Sequence, residues 1–238
     1  MTAHPRSDGF QAPSSMYGFE LKNVGADRRD PLAVSRPGVY RNAGKRLLDI
    51  VLVVLTLPVT LPVILVMAAL VALDGGRPFY TQLRVGQGGR VFRMWKLRSM
   101  VLDADAALEG YLAKDPELRA EWDAHQKLRR DPRITVLGEL LRRTSLDELP
   151  QLFNILKGDM SLVGPRPMMP QQRELYPGTA YYNLRPGLTG IWQVTARNDS
   201  IFSFRAACDA RYDRRLSFWL DTKLILLTAI VVLRGTGR

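Results

Sequence analysis

The feature that most restricts this chain is an uncharged apolar run. Residues 45–74 read KRLLDIVLVVLTLPVTLPVILVMAALVALD, and from Ile50 to Leu73 no charged side chain occurs. About 20 apolar residues suffice to cross a bilayer, so the run is long enough to enter one. It lies too far inside the chain, and is too long, for a cleaved leader. Pro58 and Pro62 fall near its middle. Each removes a backbone N–H and crowds the preceding turn, so a bend or break is expected there. Arg41, Lys45 and Arg46 precede the run, and Arg77, Arg84, Arg90, Arg93, Lys96 and Arg98 follow it. Basic flanks favour the cytoplasmic side, and a simple span would have to export one of them. The sequence therefore predicts a re-entrant helix–break–helix bent near Pro62, with both ends cytoplasmic. A proline-kinked span is the competing arrangement.

The rest of the chain is polar. An apolar fraction of 46% is too low for a multi-span channel. The single cysteine, Cys208, excludes an intrachain disulfide and suits a reducing compartment. Lys and Arg total 34 against 23 Asp and Glu, a formal charge of +11, which points to a polyanionic partner. Nucleic acid is not expected as that partner, because the chain carries no recognisable nucleic-acid fingerprint and does carry a membrane run. Anionic lipid or a phosphorylated substrate remains.

Three regions follow: residues 1–44, a mostly disordered cytoplasmic extension rich in Pro, Gly and Ser; residues 45–74, the membrane hairpin; and residues 75–238, a cytoplasmic domain. The fold class expected is α+β, mostly helical. Two β-prone stretches flank GQGG in PFYTQLRVGQGGRVFRMWKLRSM and predict a small β-hairpin, on which Lys96 and Arg98 would share a face. Residues 103–130 predict a solvated helix pair broken near Pro116, with His125 on the surface. A short amphipathic helix, VLGELLRR, follows Thr135. The stretch LSFWLDTKLILLTAIVVL, Leu216 to Leu233, is interrupted by Asp221 and Lys223 and reads as an interfacial helix, or one packed on the hairpin.

The chemistry centres on TSLDELPQLFNILKGDMSLVGPRP, Thr144 to Pro167. Ser145-x-x-Glu148 has the form of a capping box, which would make Asp147 and Glu148 simple first-turn acids. Pro150 opposes a regular helix from Ser145, because it would fall in the fifth helical position. The other reading is catalytic. Paired acids can hold Mg²⁺ through oxygen, one carboxylate can attack phosphorus, and loop arginines can neutralise phosphate. Such arginines stand in GPRP, RPGLTG and QVTARN. A membrane hairpin fits that chemistry when one reactant is a lipid phosphate. A non-catalytic membrane adaptor would explain the charge and the hairpin, but not the acids beside GPRP.

From Lys45 to Leu233 the chain resembles the bacterial sugar transferases, also called monotopic phosphoglycosyl transferases. The resemblance rests on KRLLDI and the proline-broken apolar run, FYTQLRVG, FRMWKLRSM, the Thr144–Pro167 stretch, and RPGLTGIWQV with the following RN. It implies transfer of a sugar 1-phosphate from a UDP-sugar to undecaprenyl phosphate with release of UMP, at the cytoplasmic face of the bacterial inner membrane. It also implies that Asp147 is the nucleophile, Glu148 its partner acid, Mg²⁺ a cofactor held near both, and Pro62 the break in the membrane helix. Lys96, Arg142, Arg166, Arg185 and Arg197 become the expected phosphate or uridine contacts. The donor sugar would be galactose or glucose, the product would start an exopolysaccharide or other surface glycan, and downstream glycosyltransferases are possible partners. Pro58 departs from the family pattern and would shift or widen the bend. The chain is expected to be a short form, without additional N-terminal spans.

Overall fold

The computed structural model describes residues 38–125, 128, 130–195 and 202–233. Most of the extension expected over 1–44, together with Arg197, lies outside them. After a π-helical turn, Tyr40–Gly44, helix α1 runs over Lys45–Leu73. It is helical through Pro58 and Pro62, so the expected break does not interrupt the helix. Thr56 and Thr60 turn their hydroxyls back to the carbonyls of Leu52 and Thr56, so neither hydroxyl is left without a partner on this apolar helix.

The position of α1 against the polar body bears on its topology. Near its start, Val53 is buried among Phe92, Met94, Leu152, Ile155 and Met160, and Arg46 donates to the carbonyls of Ile155 and Leu156. Near its end, Ala68 and Val71 pack with Leu97 and Leu141, and Arg98 donates to the carbonyl of Val71 at 2.8 Å. Both ends of an apolar helix are thus fastened to one body. The outer face keeps Leu55, Val59, Leu65, Val66, Leu70 and Leu73 exposed.

The predicted hairpin is present. Strands β1, Phe79–Val85, and β2, Val91–Leu97, pair antiparallel around a 3₁₀ turn at Gln87–Gly89, where Gly88 and Gly89 take φ of 65° and 80°. Tyr80 faces Lys96, Gln82 faces Met94 and Arg84 faces Phe92 across the ladder. Arg98 falls beyond β2, so it does not share a strand face with Lys96: it ties off α1, while Lys96 turns to the acids. Helices α2, Ala104–Lys114, and α3, Pro116–His125, form the expected pair. Pro116 opens α3 rather than breaking one, and Asp115 Oδ1 caps it by accepting from the amides of Glu117 and Leu118.

Helix α4, Val136–Thr144, is capped by Thr135 Oγ1, which accepts from the Gly138 amide. The capping box at Ser145 does not form. Ser145 instead ends α4 in the left-handed region at φ 58°, Leu146–Glu148 make a 3₁₀ turn, and helix α5 begins at Gln151 with Pro150 at its cap. A missing N–H costs nothing at that position, which resolves the conflict between proline and helix.

Beyond α5, Gln151–Lys157, the sequence reads as loop-rich up to the C-terminal helix, with no strand expected. The structure has a parallel pair, β3 (Ser161–Val163) with β4 (Gly187–Thr189). Its backbones approach so closely that a Cβ on Gly164 would lie 2.3 Å from the Arg185 carbonyl oxygen. Helices α6, Ile191–Thr195, α7, Phe202–Arg215, and α8, Phe218–Leu233, complete the body. Val163, Leu184, Ile191, Val194, Cys208, Tyr212 and Leu224 form the core beneath them. Asp221 does not interrupt α8 as a surface charge would. It is fully buried and accepts from Lys45 Nζ (2.8 Å), Tyr40 Oη (2.7 Å) and Tyr212 Oη (2.6 Å), locking the base of α1 to α8 and α7. Asp49 makes a second lock, accepting from Ser161 Oγ and the Leu162 amide.

Candidate active site

The 3₁₀ turn after α4 presents Asp147 and Glu148 to β2. Lys96 Nζ bridges them, 3.3 Å from Asp147 Oδ2 and 2.7 Å from Glu148 Oε1. Asp147 is 6% exposed. The three groups wall a pocket of about 360 Å³ that Tyr80, Arg142, Arg166 and Trp192 also line. Another wall is apolar: Leu188 and Val194 with Val232, and Thr228 of α8, whose Oγ1 meets that of Thr189 at 2.5 Å. The pocket therefore joins a charged end to the side of an apolar helix.

The two acids differ electrostatically. Burial pushes the Asp147 carboxyl above its usual range. The charge of Lys96 opposes this, and that of Glu148 adds to it. Burial would raise Glu148 too, but Lys96, Arg166 and Arg84 outweigh it and hold that carboxyl below the usual range. Burial would also discharge Lys96, yet the two carboxylates outweigh it and keep its pKa raised, so the ammonium stays charged. A desolvated carboxylate next to a firmly ionised one is an arrangement in which the first is the stronger base and nucleophile once ionised.

Of the arginines singled out in the sequence, Arg142 and Arg166 line the pocket. Arg142 Nε donates to Ser99 Oγ, and the Arg166 guanidinium lies 5.5 Å over the Trp192 ring. Arg185 is not among the lining residues; its Nε donates to the Gly158 carbonyl at 3.0 Å and fastens the β4 loop to the end of α5. Arg197 lies outside the described residues, and Pro62 sits mid-way along α1. Among the described residues no group of three or more His, Cys, Asp or Glu side chains converges.

Sequence reasoning missed Tyr80, Arg84 and Trp192. The first two were legible in principle. A hairpin centred on GQGG puts Tyr80, Gln82 and Arg84 on the strand face that carries Lys96. Trp192 stood inside the RPGLTGIWQV motif, but a short helix after a strand of three residues gave no sign that its ring lines the pocket.

Comparison with known proteins agrees with these motifs. The family model described as bacterial sugar transferase matches residues 40–235. A UDP-galactose-lipid carrier transferase of Erwinia amylovora is 44% identical over 195 residues, 81% of this chain and 41% of that protein. An undecaprenyl-phosphate galactose phosphotransferase of Salmonella typhimurium is 46% identical over 195 residues, with the same coverage of 81% and 41%. The exopolysaccharide production protein ExoY of Rhizobium meliloti is 42% identical over 197 residues, 81% of this chain and 87% of that protein. The chain thus spans about two fifths of the first two relatives and most of the third.

Proposed function

The chain belongs to the bacterial sugar transferase family, and on that premise we propose that it transfers a sugar 1-phosphate from a UDP-sugar to undecaprenyl phosphate and releases UMP. The observation that carries this reading is the Lys96-bridged Asp147–Glu148 pair in a pocket whose far wall is an apolar helix. A soluble phosphate ester can enter at the charged end, and a lipid phosphate can lie along α8. A membrane adaptor has no use for two acids buried against a lysine, so the pair favours the enzyme.

In the first step an Asp147 carboxylate oxygen attacks the β-phosphorus of the donor. The bond from that phosphorus to the bridging oxygen breaks, and the oxygen leaves on UMP. In the second, a phosphate oxygen of undecaprenyl phosphate attacks the same phosphorus and Asp147 leaves as a carboxylate. Lys96 and Glu148 keep Asp147 oriented. Arg166 and Arg142 supply positive charge where phosphate oxygens gather, the form of stabilisation phosphoryl transfer needs most. The donor set fits Mg²⁺, a hard cation that takes one or two carboxylates and completes its shell with substrate phosphate and water. When bound, the ion would offset charge on the diphosphate.

The same account places the protein at the cytoplasmic face of the bacterial inner membrane. A straight helix of 29 residues is about 43 Å long and would carry its ends to opposite sides of a core of about 30 Å. Fastening of both ends of α1 to one polar body supports a path that enters the bilayer and returns, with both ends on the cytoplasmic side. The exopolysaccharide-type relative of matching length supports a role in starting surface glycan synthesis, with galactose or glucose as the sugar and downstream glycosyltransferases consuming the lipid product.

The test is nucleotide release from a panel of UDP-sugars with undecaprenyl phosphate and Mg²⁺. Release of UMP by the wild type but not by Asp147→Asn is expected. Release of UDP would mean cleavage of the sugar–oxygen bond and would refute the mechanism.

A further inference from the structure

The segment that carries Arg166 has little structure of its own. Residues 164–168 read GPRPM, so two of the five lack an amide N–H, and β3 has already ended at Val163. Its first two residues are held by backbone: the Gly164 amide donates to Thr189, and the Pro165 carbonyl accepts from Gly187. The rest is held mostly by side chains. Arg205 Nη2 donates to the Arg166 carbonyl at 2.5 Å. Arg84 Nη1 reaches the Pro167 carbonyl at 3.4 Å. The Tyr181 hydroxyl accepts from the Met168 amide at 3.2 Å and donates to the Val85 carbonyl at 2.6 Å, while the Val85 amide donates to Met168.

Arg205 stands out in this set. It lies on α7, is 8% exposed, and does not line the pocket. Its guanidinium is 5.4 Å over the Trp192 ring, the ring on which Arg166 also rests, and 5.3 Å over Phe202. Its Nε has no protein partner among the described residues. Burial and the charge of Arg166 both disfavour the cation there, and Asp209, one turn along α7, offsets them only in part. Asp209 is in turn fixed by the Tyr176 hydroxyl at 2.9 Å. A buried cation that repels its neighbour costs stability. Methionine could fill the same space, but it could not bond the Arg166 carbonyl or answer the charge of Asp209.

We propose that Arg205 is a positioning residue: by gripping the Arg166 carbonyl and stacking on Trp192, it holds the Arg166 guanidinium toward the Glu148 end of the pocket. Asp209 and Tyr176 form its foundation. The consequence for catalysis rests on the function proposed above; the grip on the segment does not.

The experiment uses the full chain in nanodiscs, as wild type, Arg205→Lys and Arg205→Met. The methionine variant keeps the packing and removes the buried charge, so it is expected to fold even where lysine fails. In both, exchange of the Met168 amide, which donates to the Tyr181 hydroxyl, is expected to rise about tenfold or more, with the α5 and α8 amides unchanged. The kcat/KM for the UDP-sugar is expected to fall about tenfold or more, with the KM for undecaprenyl phosphate unaltered. Unchanged exchange at Met168 in a folded variant overturns the proposal, whatever the reaction. So does faster exchange with an unaltered kcat/KM, or failure of both variants to fold, which would make Arg205 a core residue. Faster exchange together with no UMP release by the wild type would leave the grip standing and refute the function.

Discussion

Replacing Lys96 by methionine isolates the electrostatics of the site. The substitution keeps an unbranched apolar stem and removes the ammonium that lies 3.3 Å from Asp147 and 2.7 Å from Glu148. Removing one member of a buried ion pair leaves an uncompensated charge and costs about 3–5 kcal/mol. Here two carboxylates are left together, so the cost at pH 8 belongs at the upper end. Its pH dependence identifies the cause. Without Lys96 the charge that opposes burial of Asp147 is gone, so that carboxyl rises further above its ordinary value of 3.8, while Glu148 keeps the charges of Arg166 and Arg84. A carboxyl whose folded pKa exceeds its unfolded one stabilises the fold at low pH and loses that contribution as pH rises through the folded value. In the wild type Lys96 stays charged throughout, because its own pKa is raised. The deficit of Lys96→Met should therefore be largest at pH 8 and shrink toward pH 5. Urea unfolding of both proteins in detergent at pH 5, 6.5 and 8 measures it, and a deficit of about 4 kcal/mol corresponds to roughly 8–16 °C in melting temperature. An equal deficit at all three pH values would refute the reasoning, since lost packing alone does not titrate.

Two further perturbations have defined outcomes. Asp221→Ala strips the acceptor from Lys45, Tyr40 and Tyr212 and should cost about 3–5 kcal/mol, whereas Asp221→Asn, which keeps one acceptor oxygen, should cost less; equal melting temperatures for the two would contradict the lock. Burial pushes Asp209 up to about 7, despite the Tyr176 bond and Arg205, so its contribution to stability is present at low pH and lost as pH rises through 7. Asp209→Asn should accordingly flatten the fall in wild-type melting temperature between pH 6 and pH 8, and a parallel fall in both proteins would refute the assignment.

How much of this was legible in the sequence depended on whether local rules carried the structure. GQGG between β-prone stretches was enough for the hairpin, and Thr135 before an amphipathic stretch for α4, because turn and cap chemistry act over a few residues. The Ser145 capping box was misleading for the same reason. Its pattern is local, whereas Pro150 and the left-handed Ser145 move the helix start to Gln151. The parallel pair β3–β4 could not be read, since three-residue strands far apart in sequence show no periodicity and are held by close backbone approach at Gly164 and Gly187. Helix α1 was legible as an apolar element with two prolines, but not as an unbroken one. Asp221 looked like an interruption of α8 because its partners come from positions 40, 45 and 212. In the site, the Asp147–Glu148 pair and Arg166 stood out by motif. Arg205 could not, because its contacts to Arg166 and Trp192 exist only once α7 docks.

The claim on which the account rests is that Asp147 itself carries the phosphosugar. Nucleotide release from a UDP-sugar in the absence of any lipid acceptor, followed by the intact mass of the protein, tests it most directly. The account predicts a burst approaching one UMP per active enzyme and a mass increase equal to the sugar phosphate less one water, both absent in Asp147→Asn. Steady turnover that needs the acceptor from the start, with no burst and no adduct, would contradict it, as would an adduct that survives in Asp147→Asn.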